Sequence, residues 1–456
     1  MIIELQNFGP IKSFKFDTSK DIHAIFGKNN IGKSYAISAV YLILKSFIEY
    51  TSIQYKPDFN KDFDKKIPTL LERLDEIGND ETLDISEEVK IDLSNILKSS
   101  IVLLIDKSFK NSYNFKYLQN KLNSGEATQI AIKNDIAEIL IGLDEHNENL
   151  ILKSINWIPK IKIEKNELYS LELWEKLPER NNIYSQDIRF YKDELNKVLE
   201  VCINSYVNQF ANTIGKIYFL PASRSGLYNA LNSLGAIFAE LSRNRNIISQ
   251  KIEIPNFSEP ISDYFLNLNT IDKTQVNEKY LEHFEEIEKN ILKGSITLDT
   301  ETKKYFYTPL HSEIKLELSF TSSMISEIAP IIAHLKYIIP FDDKSTSILF
   351  IEEPEAHLHP EVQVALLSFF GKLSKGNLKI VMTSHSNYIF NKLSNLIIAK
   401  EILPENINIS LMKMTNEGSV IEDGAMSVDE YGIEDNNFAD IAEQLYEERM
   451  QLLNKL

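Results

Sequence analysis

The sequence predicts an α/β protein built around a phosphate-binding loop, and three observations predict it. An apolar strand runs into the pattern G-x-x-x-x-G-K-[ST] at Gly27, Gly32, Lys33 and Ser34. A second apolar strand, Ser347–Glu352, ends in paired carboxylates. A third, Leu378–Thr383, leads into Ser384-His385. Between Gly294 and Phe320 the stretches SITLDT, KKYFYTP and IKLELSF alternate, which adds an antiparallel layer.

Taken in order, Ile2–Ile11 reads as a strand broken by Gly9-Pro10, and Ser13–Phe16 pairs with it. Ile22–Phe26 is the apolar strand before the loop, and Tyr35–Tyr50 the apolar helix after it. From Thr51 to Val207 the pattern is mostly helical, punctuated by Pro68, Gly78, Gly125, Pro159 and Pro178. No heptad repeat survives those breaks, so a compact inserted lobe is expected and not a coiled-coil arm. Asp187–Ile214 reads as an amphipathic helix, Ile217–Leu220 as a strand and Leu227–Asn246 as a helix. A helix over Ser323–Ile338 precedes the carboxylate strand, and Glu361–Leu373 is the next helix. Asn406–Met414 and Ser419–Glu422 are late strands, and Val428–Leu456 looks helical. The expected division is 1–50 and 208–425 for the nucleotide head, 51–207 for the helical lobe and 426–456 for a terminal helical segment.

The composition places this chain among ordinary soluble proteins. Of its 456 residues 43% are hydrophobic and 25% charged, and no apolar run is long enough to span a membrane. MIIELQNFGPI lacks a basic region followed by an apolar one, so no export signal is expected. The single cysteine, Cys202, lies among apolar residues at helical spacing and fits a buried thiol in a reducing cytoplasm. A net charge of −17 argues against broad binding to duplex nucleic acid, which rests on neutralising phosphates. A local basic groove stays open: Arg224, Arg243 and Arg245 lie close in sequence, although a solvated helix face explains the latter two.

The loop Gly27-Lys28-Asn29-Asn30-Ile31-Gly32-Lys33-Ser34 has the composition a polyphosphate needs. Glycines allow close backbone approach and unusual angles, and the following helix aims its positive end at the anion. Lys33 adds a point charge on the outer phosphates, and the Ser34 hydroxyl is placed to ligate Mg²⁺. The alternative is a chance glycine-rich turn; the flanking strand and helix weigh against it. Glu352 and Glu353 fall at a strand's C-terminal end, where α/β sheets place ligands. Glu352 is assigned to the outer shell of the metal and Glu353 to polarising the attacking water. His357 and His359 invite a zinc reading, but two histidines without further ligands make a poor zinc site. His385, after the next strand, can reach the γ-phosphate or the water.

The loop, the segment Glu352-Glu353-Pro354-Glu355-Ala356-His357-Leu358-His359-Pro360 and Thr383-Ser384-His385 together resemble the ABC-type ATPases related to SMC and RecF proteins. Within them the chain is similar to the branch of the OLD nucleases and the ATPase subunits of the Septu and PARIS antiphage systems. Asn7–Ile11 and Leu220–Gly226 also look like that branch. The resemblance implies an ABC-type ATPase head using ATP and Mg²⁺, with Glu352 and Glu353 as the Walker B pair, Glu355–Pro360 as the D-loop and His385 as the switch histidine. It also implies a signature segment that reads a second subunit's γ-phosphate. Leu318–Met324, with Ser322 and Ser323, is the candidate, and Met324 stands where relatives have glycine. OLD nucleases add a Toprim module with an Asp-x-Asp pair. The only such pair here, Asp62 and Asp64, lies in a charged run, so no nuclease is expected in this chain. Three functions follow as expectations. The first is an ATPase switch, at least a homodimer, controlling a separate effector such as a nuclease. The second is a nucleotide-gated scaffold with negligible turnover. The third is a RecF-like repair ATPase acting on DNA.

Overall fold

The computed structural model describes residues 1–52, 82–157 except 124 and 136, 162–164, 168–169, 214–230, 257–269, 281–299, 304–339, 346–422 except 375–376, 424, 426–435, 439–453 and a few single positions. Cys202, Arg243, Arg245, Asp62, Asp64 and residues 187–213 of the helix expected over Asp187–Ile214 lie outside the described residues. The contacts divide the chain into two units, Met1–Thr18 with Leu42–Gly215 and Ser19–Tyr41 with Lys216–Leu456.

In the first unit β1 (Ile2–Phe8) and β2 (Ile11–Asp17) form the expected hairpin, with Ile3 facing Phe16 and Leu5 facing Phe14. Alternation sends Ile3, Leu5, Phe14 and Phe16 inward, while Asn7 and Gly9 take positive φ to turn the chain. On its other edge β1 pairs antiparallel with β5 (Gln129–Lys133), which continues into β6 (Ala137–Leu143) and β7 (Leu150–Trp157). The helical expectation for this region therefore fails over residues 129–157. The run is a three-stranded meander whose register is fixed by β1, far away in sequence. Helices α2 (Ser86–Ser99) and α3 (Ile101–Ser112) do form, and Phe109 packs edge-on to Phe8 at 5.6 Å. A small antiparallel sheet joins β4 (Thr82–Asp84), β8 (Lys162–Glu164) and β9 (Leu168–Tyr169).

The second unit holds a parallel sheet in the order β10 (Lys216–Leu220), β14 (Ser347–Glu352), β15 (Leu378–Ser384), β3 (Ile22–Gly27), β16 (Ile407–Thr415). β17 (Gly418–Ile421) adds antiparallel to β16. These strands are apolar because both faces are covered. In β14, Leu349 and Ile351 join the main core cluster, whereas Phe350 meets Tyr41 of α1 (Lys33–Ser52) edge-on at 5.5 Å. Each such side chain contributes roughly 1.5–3 kcal/mol by leaving water. The covering helices include α4 (Glu259–Asn269), α5 (Leu281–Ile287), α6 (Ser323–Ala333), α7 (Pro360–Leu373) and α8 (Asn387–Ile398). α6 runs on into a wider π stretch, His334–Ile338. The expected antiparallel layer is β11 (Gly294–Asp299), β12 (Lys304–Pro309) and β13 (Leu316–Glu317). The terminal segment departs from expectation: β18 (Met426–Asp429) and β19 (Gly432–Asp435) form a hairpin before α9 (Ala439–Leu453). Gly432 at φ +109 makes that turn, which a side chain would strain. No described helix is long and apolar enough to cross a membrane.

Candidate functional site

Parallel register decides where the site lies. Leu220 faces Ile351, Glu352 faces Thr383, and Ser384 faces Phe26, so four strands end together at one edge of the sheet. The phosphate-binding loop, the two carboxylates and the histidine are therefore carried to the same place by backbone pairing alone.

The loop leaves β3 through Gly27 at φ +143 and Asn30 at φ +61, and enters α1 through Gly32 at φ +91. A Cβ on Gly27 would lie 2.5 Å from Ile31 Cδ1 and 2.5 Å from the Met412 carbonyl oxygen of β16. Glycine is thus required by the loop's own packing. Lys28, Asn29 and Asn30 are exposed, Ile31 is buried as the loop's anchor, and Gly32 is half-buried.

Lys33 is 5% exposed. Its ammonium donates to the carbonyls of Gly27 at 2.9 Å and Lys28 at 2.8 Å, and reaches His385 Nε2 at 2.9 Å. Burial lowers its pKa to about 8 against the opposing pull of Glu353 and Glu355. A ring that accepts from Lys33 at Nε2 carries its proton on Nδ1 when neutral. Glu353 Oε1 lies 3.4 Å from the same Nε2, so the lysine, histidine and glutamate converge on one point. Glu353 adopts φ +41, a left-handed conformation that costs a non-glycine residue on the order of 1 kcal/mol. Its N–H donates to the Thr383 carbonyl at 3.1 Å.

Glu352 accepts from the Ser34 hydroxyl, and from the Ala222 N–H at 3.3 Å. Burial raises its pKa, while those two donors pull it down. A desolvated carboxylate joined to a hydroxyl is an oxygen donor set suited to Mg²⁺, which takes one or two protein ligands and keeps its waters. The buried ammonium held only by neutral acceptors suits an incoming phosphate in the same way. Both groups that the sequence assigns to Mg-ATP fit it.

Two further residues hold these groups; the resemblance placed Glu355 in the D-loop and Arg224 in the Leu220–Gly226 stretch, but nothing in the sequence marks the contacts of either. Glu355 Oε1 accepts from the Ser384 hydroxyl at 2.8 Å and from the His385 N–H at 2.7 Å. Arg224 is fully buried and is not part of a surface groove. It donates to the carbonyls of Glu352 at 2.7 Å and Glu353 at 3.2 Å.

The remaining candidates stand apart. Ser322 caps α6, accepting from the Ile325 N–H, and Ser323 follows it; both are exposed beside Phe320, which is 78% exposed. No hydrogen bond joins either serine to the loop. His357 and His359 are exposed, and no group of three or more potential metal-binding side chains occurs among the described residues.

A sequence model of the AAA ATPase domain family matches residues 1–390. No curated protein matches the chain. Solved structures similar to it include the SMC head domain from Thermotoga maritima, with 10% identity, a TM-score of 0.37, and coverage of 92% of this chain and 97% of that one. A second is the Smc head domain with an extended coiled coil, bound to the C-terminal domain of ScpA, derived from Pyrococcus furiosus. It has 14% identity, a TM-score of 0.37 and 98% coverage of both chains.

Proposed function

This chain belongs to the AAA ATPase domain family, and from that premise we propose that it hydrolyses ATP as an ABC-type switch. The observation that carries the reading is the meeting of Lys33, His385 and Glu353, with Nε2 2.9 Å from the ammonium and 3.4 Å from the carboxylate. Beside it lies the Ser34–Glu352 pair. Ser34 and Glu352 would hold Mg²⁺, which supplies charge neutralisation on the phosphates. Lys33 exchanges its loop carbonyls for phosphate oxygens. Glu353 takes the proton of the attacking water, and His385, turned by the Glu355 contact to its N–H, keeps that water and Glu353 aligned. Ser322 and Ser323 sit exposed at a helix N-terminus, where they would reach a nucleotide held by a second copy of the chain. In this reading two chains close around ATP and open after hydrolysis. The motif resemblance to Septu and PARIS ATPase subunits supports a separate effector, such as a nuclease in antiphage defence.

The test is phosphate release and solution mass with and without ATP and Mg²⁺. Glu353→Gln is expected to lower turnover at least 10²-fold, as loss of a general base does, while holding ATP in a stable oligomer. Lys33→Ala is expected to lose ATP binding. A second reading, a nucleotide-gated scaffold, is favoured by Met324 at the signature position. Equally low release by wild type and Glu353→Gln, with ATP bound, would select it.

A further inference from the structure

Arg224 has the largest fully buried side chain among the described residues, and the proposed chemistry gives it no direct part. Its contacts run to three segments. Nη1 donates to the Glu352 carbonyl at 2.7 Å and the Pro221 carbonyl at 3.1 Å, and Nη2 donates to the Glu353 carbonyl at 3.2 Å. On the other side, Nε donates to the Glu327 carbonyl at 3.3 Å and lies 3.6 Å from Glu327 Oε2. The second Glu327 oxygen accepts from the Ser225 hydroxyl. Glu327 stands four residues after Ser323, one turn along the same face of α6. A single rigid guanidinium thus ties the helix capped by Ser322 to the backbone of both carboxylates at the end of β14.

From this arrangement we propose that Arg224 and Glu327 are a positioning pair that couples the Ser322/Ser323 end of α6 to Glu353. The inference rests on the ATP-switch reading of the site and deepens it. Two observations favour coupling over plain structural support. First, Glu353 is held at φ +41, and the Arg224 contact to its carbonyl helps keep it there. Losing that contact frees the peptide to relax and swings the carboxylate away from His385. Second, the ion pair is half made. Glu327 Oε2 is buried with no hydrogen bond, 3.6 Å from Nε. Nε has one hydrogen, now given to the Glu327 carbonyl at 3.3 Å, so a shift of α6 of about 0.8 Å brings Oε2 to the roughly 2.8 Å of a charge-assisted bond and moves that hydrogen from carbonyl to carboxylate. An anion gripped by Ser322 and Ser323 pulls on this helix, and the guanidinium carries the displacement to the Glu352–Glu353 peptide. A buried ion pair kept only for stability is readily replaced by apolar packing, which costs no desolvation.

The experiment is hydrogen exchange on the full chain with and without ATP and Mg²⁺, alongside kcat and KM, for wild type, Glu327→Gln, Ser323→Ala and their double variant. Glu327→Gln keeps the shape and the Ser225 contact but removes the charge. Expected is ATP protection of residues 27–36, 320–330 and 350–356 in wild type. Glu327→Gln should lose the 320–330 protection and about tenfold in kcat, with KM within twofold. The double variant should be no slower than the slower single one. Arg224→Lys, measured alongside, should lose about as much kcat as Glu327→Gln although it keeps the charge, because a lysine cannot span both sides. If Glu327→Gln matches wild type in protection and kcat, or if the single effects multiply in the double variant, coupling is overturned while the ATP reading stands. If wild type shows no ATP protection anywhere, both fall together.

Discussion

A methyl group at Gly27 would separate two explanations for the loop's first glycine. The added Cβ would meet Ile31 Cδ1 and the Met412 carbonyl oxygen, each at 2.5 Å, on a backbone at φ +143. The Ile31 end can swing aside, but Met412 is paired with Gly27 in the sheet, so its oxygen yields only if β16 moves. Reaching an ordinary contact near 3.4 Å needs about 0.9 Å of movement; overpacking of this kind costs roughly 1–3 kcal/mol, and the strained backbone adds on the order of 1–3 kcal/mol. Gly27→Ala should therefore destabilise the protein by about 3 kcal/mol without any nucleotide present. That corresponds to a fall in melting temperature on the order of 3–6 °C by calorimetry. Gly226 is the control, since it lies in helical residues with nothing within 4 Å of an added Cβ. Gly226→Ala should be neutral or stabilising by up to about 1 kcal/mol. If ligand-free Gly27→Ala melts with wild type, the packing argument is wrong and the glycine serves phosphate approach alone.

Truncating Glu355 to alanine leaves the Ser384 hydroxyl and the His385 N–H without their acceptor. Each lost partner costs about 1–3 kcal/mol, and kcat should fall roughly 10- to 100-fold with little change in KM. An unchanged kcat would remove Glu355 from the alignment of His385. His334 gives an acid-stability prediction of definite sign. It is buried, stacks on Tyr264 at 5.3 Å, and its Nδ1 donates to the Pro330 carbonyl at 2.9 Å while burial lowers its pKa to about 4. The ring is neutral when folded, so stability is intact above the unfolded value of 6.5 and is lost as pH falls from there towards 4. The loss reaches about 2 kcal/mol at pH 5. Denaturant unfolding at pH 7.5 and pH 5 should show this difference in wild type, reduced by that amount in His334→Gln; an identical pH dependence would refute it.

The chemistry-bearing part of the site was legible because it is local in sequence. The loop pattern, the carboxylates at the end of Ser347–Glu352 and the histidine after Leu378–Ser384 each sit within a few residues of a strand end. An apolar run covered on both faces is hard to mistake. The expectation over 129–157 differs because QIAIK and AEILIGL are short apolar runs that periodicity alone cannot assign to helix or strand, and what makes them strands is pairing, of β5 to β1 as in Ile3 with Ile132 and of β6 to β5. The β18–β19 hairpin was lost for the same reason: its Ile433 N–H is held by the Ser394 hydroxyl of α8.

The sequence by itself determined that this chain places a phosphate loop, a carboxylate pair and a histidine at strand ends. Motif spacing and strand pattern are properties of neighbouring residues, and they survive without knowledge of the rest. Only the tertiary structure decided what holds them. The Arg224 side chain grips backbone carbonyls of Glu352 and Glu353, and Gly27 is shaped by a carbonyl of Met412. A backbone carbonyl is common to every residue, so no side-chain pattern announces it as a partner. Its position is set by the register of parallel strands joined through long crossovers, which exists only once the chain is folded.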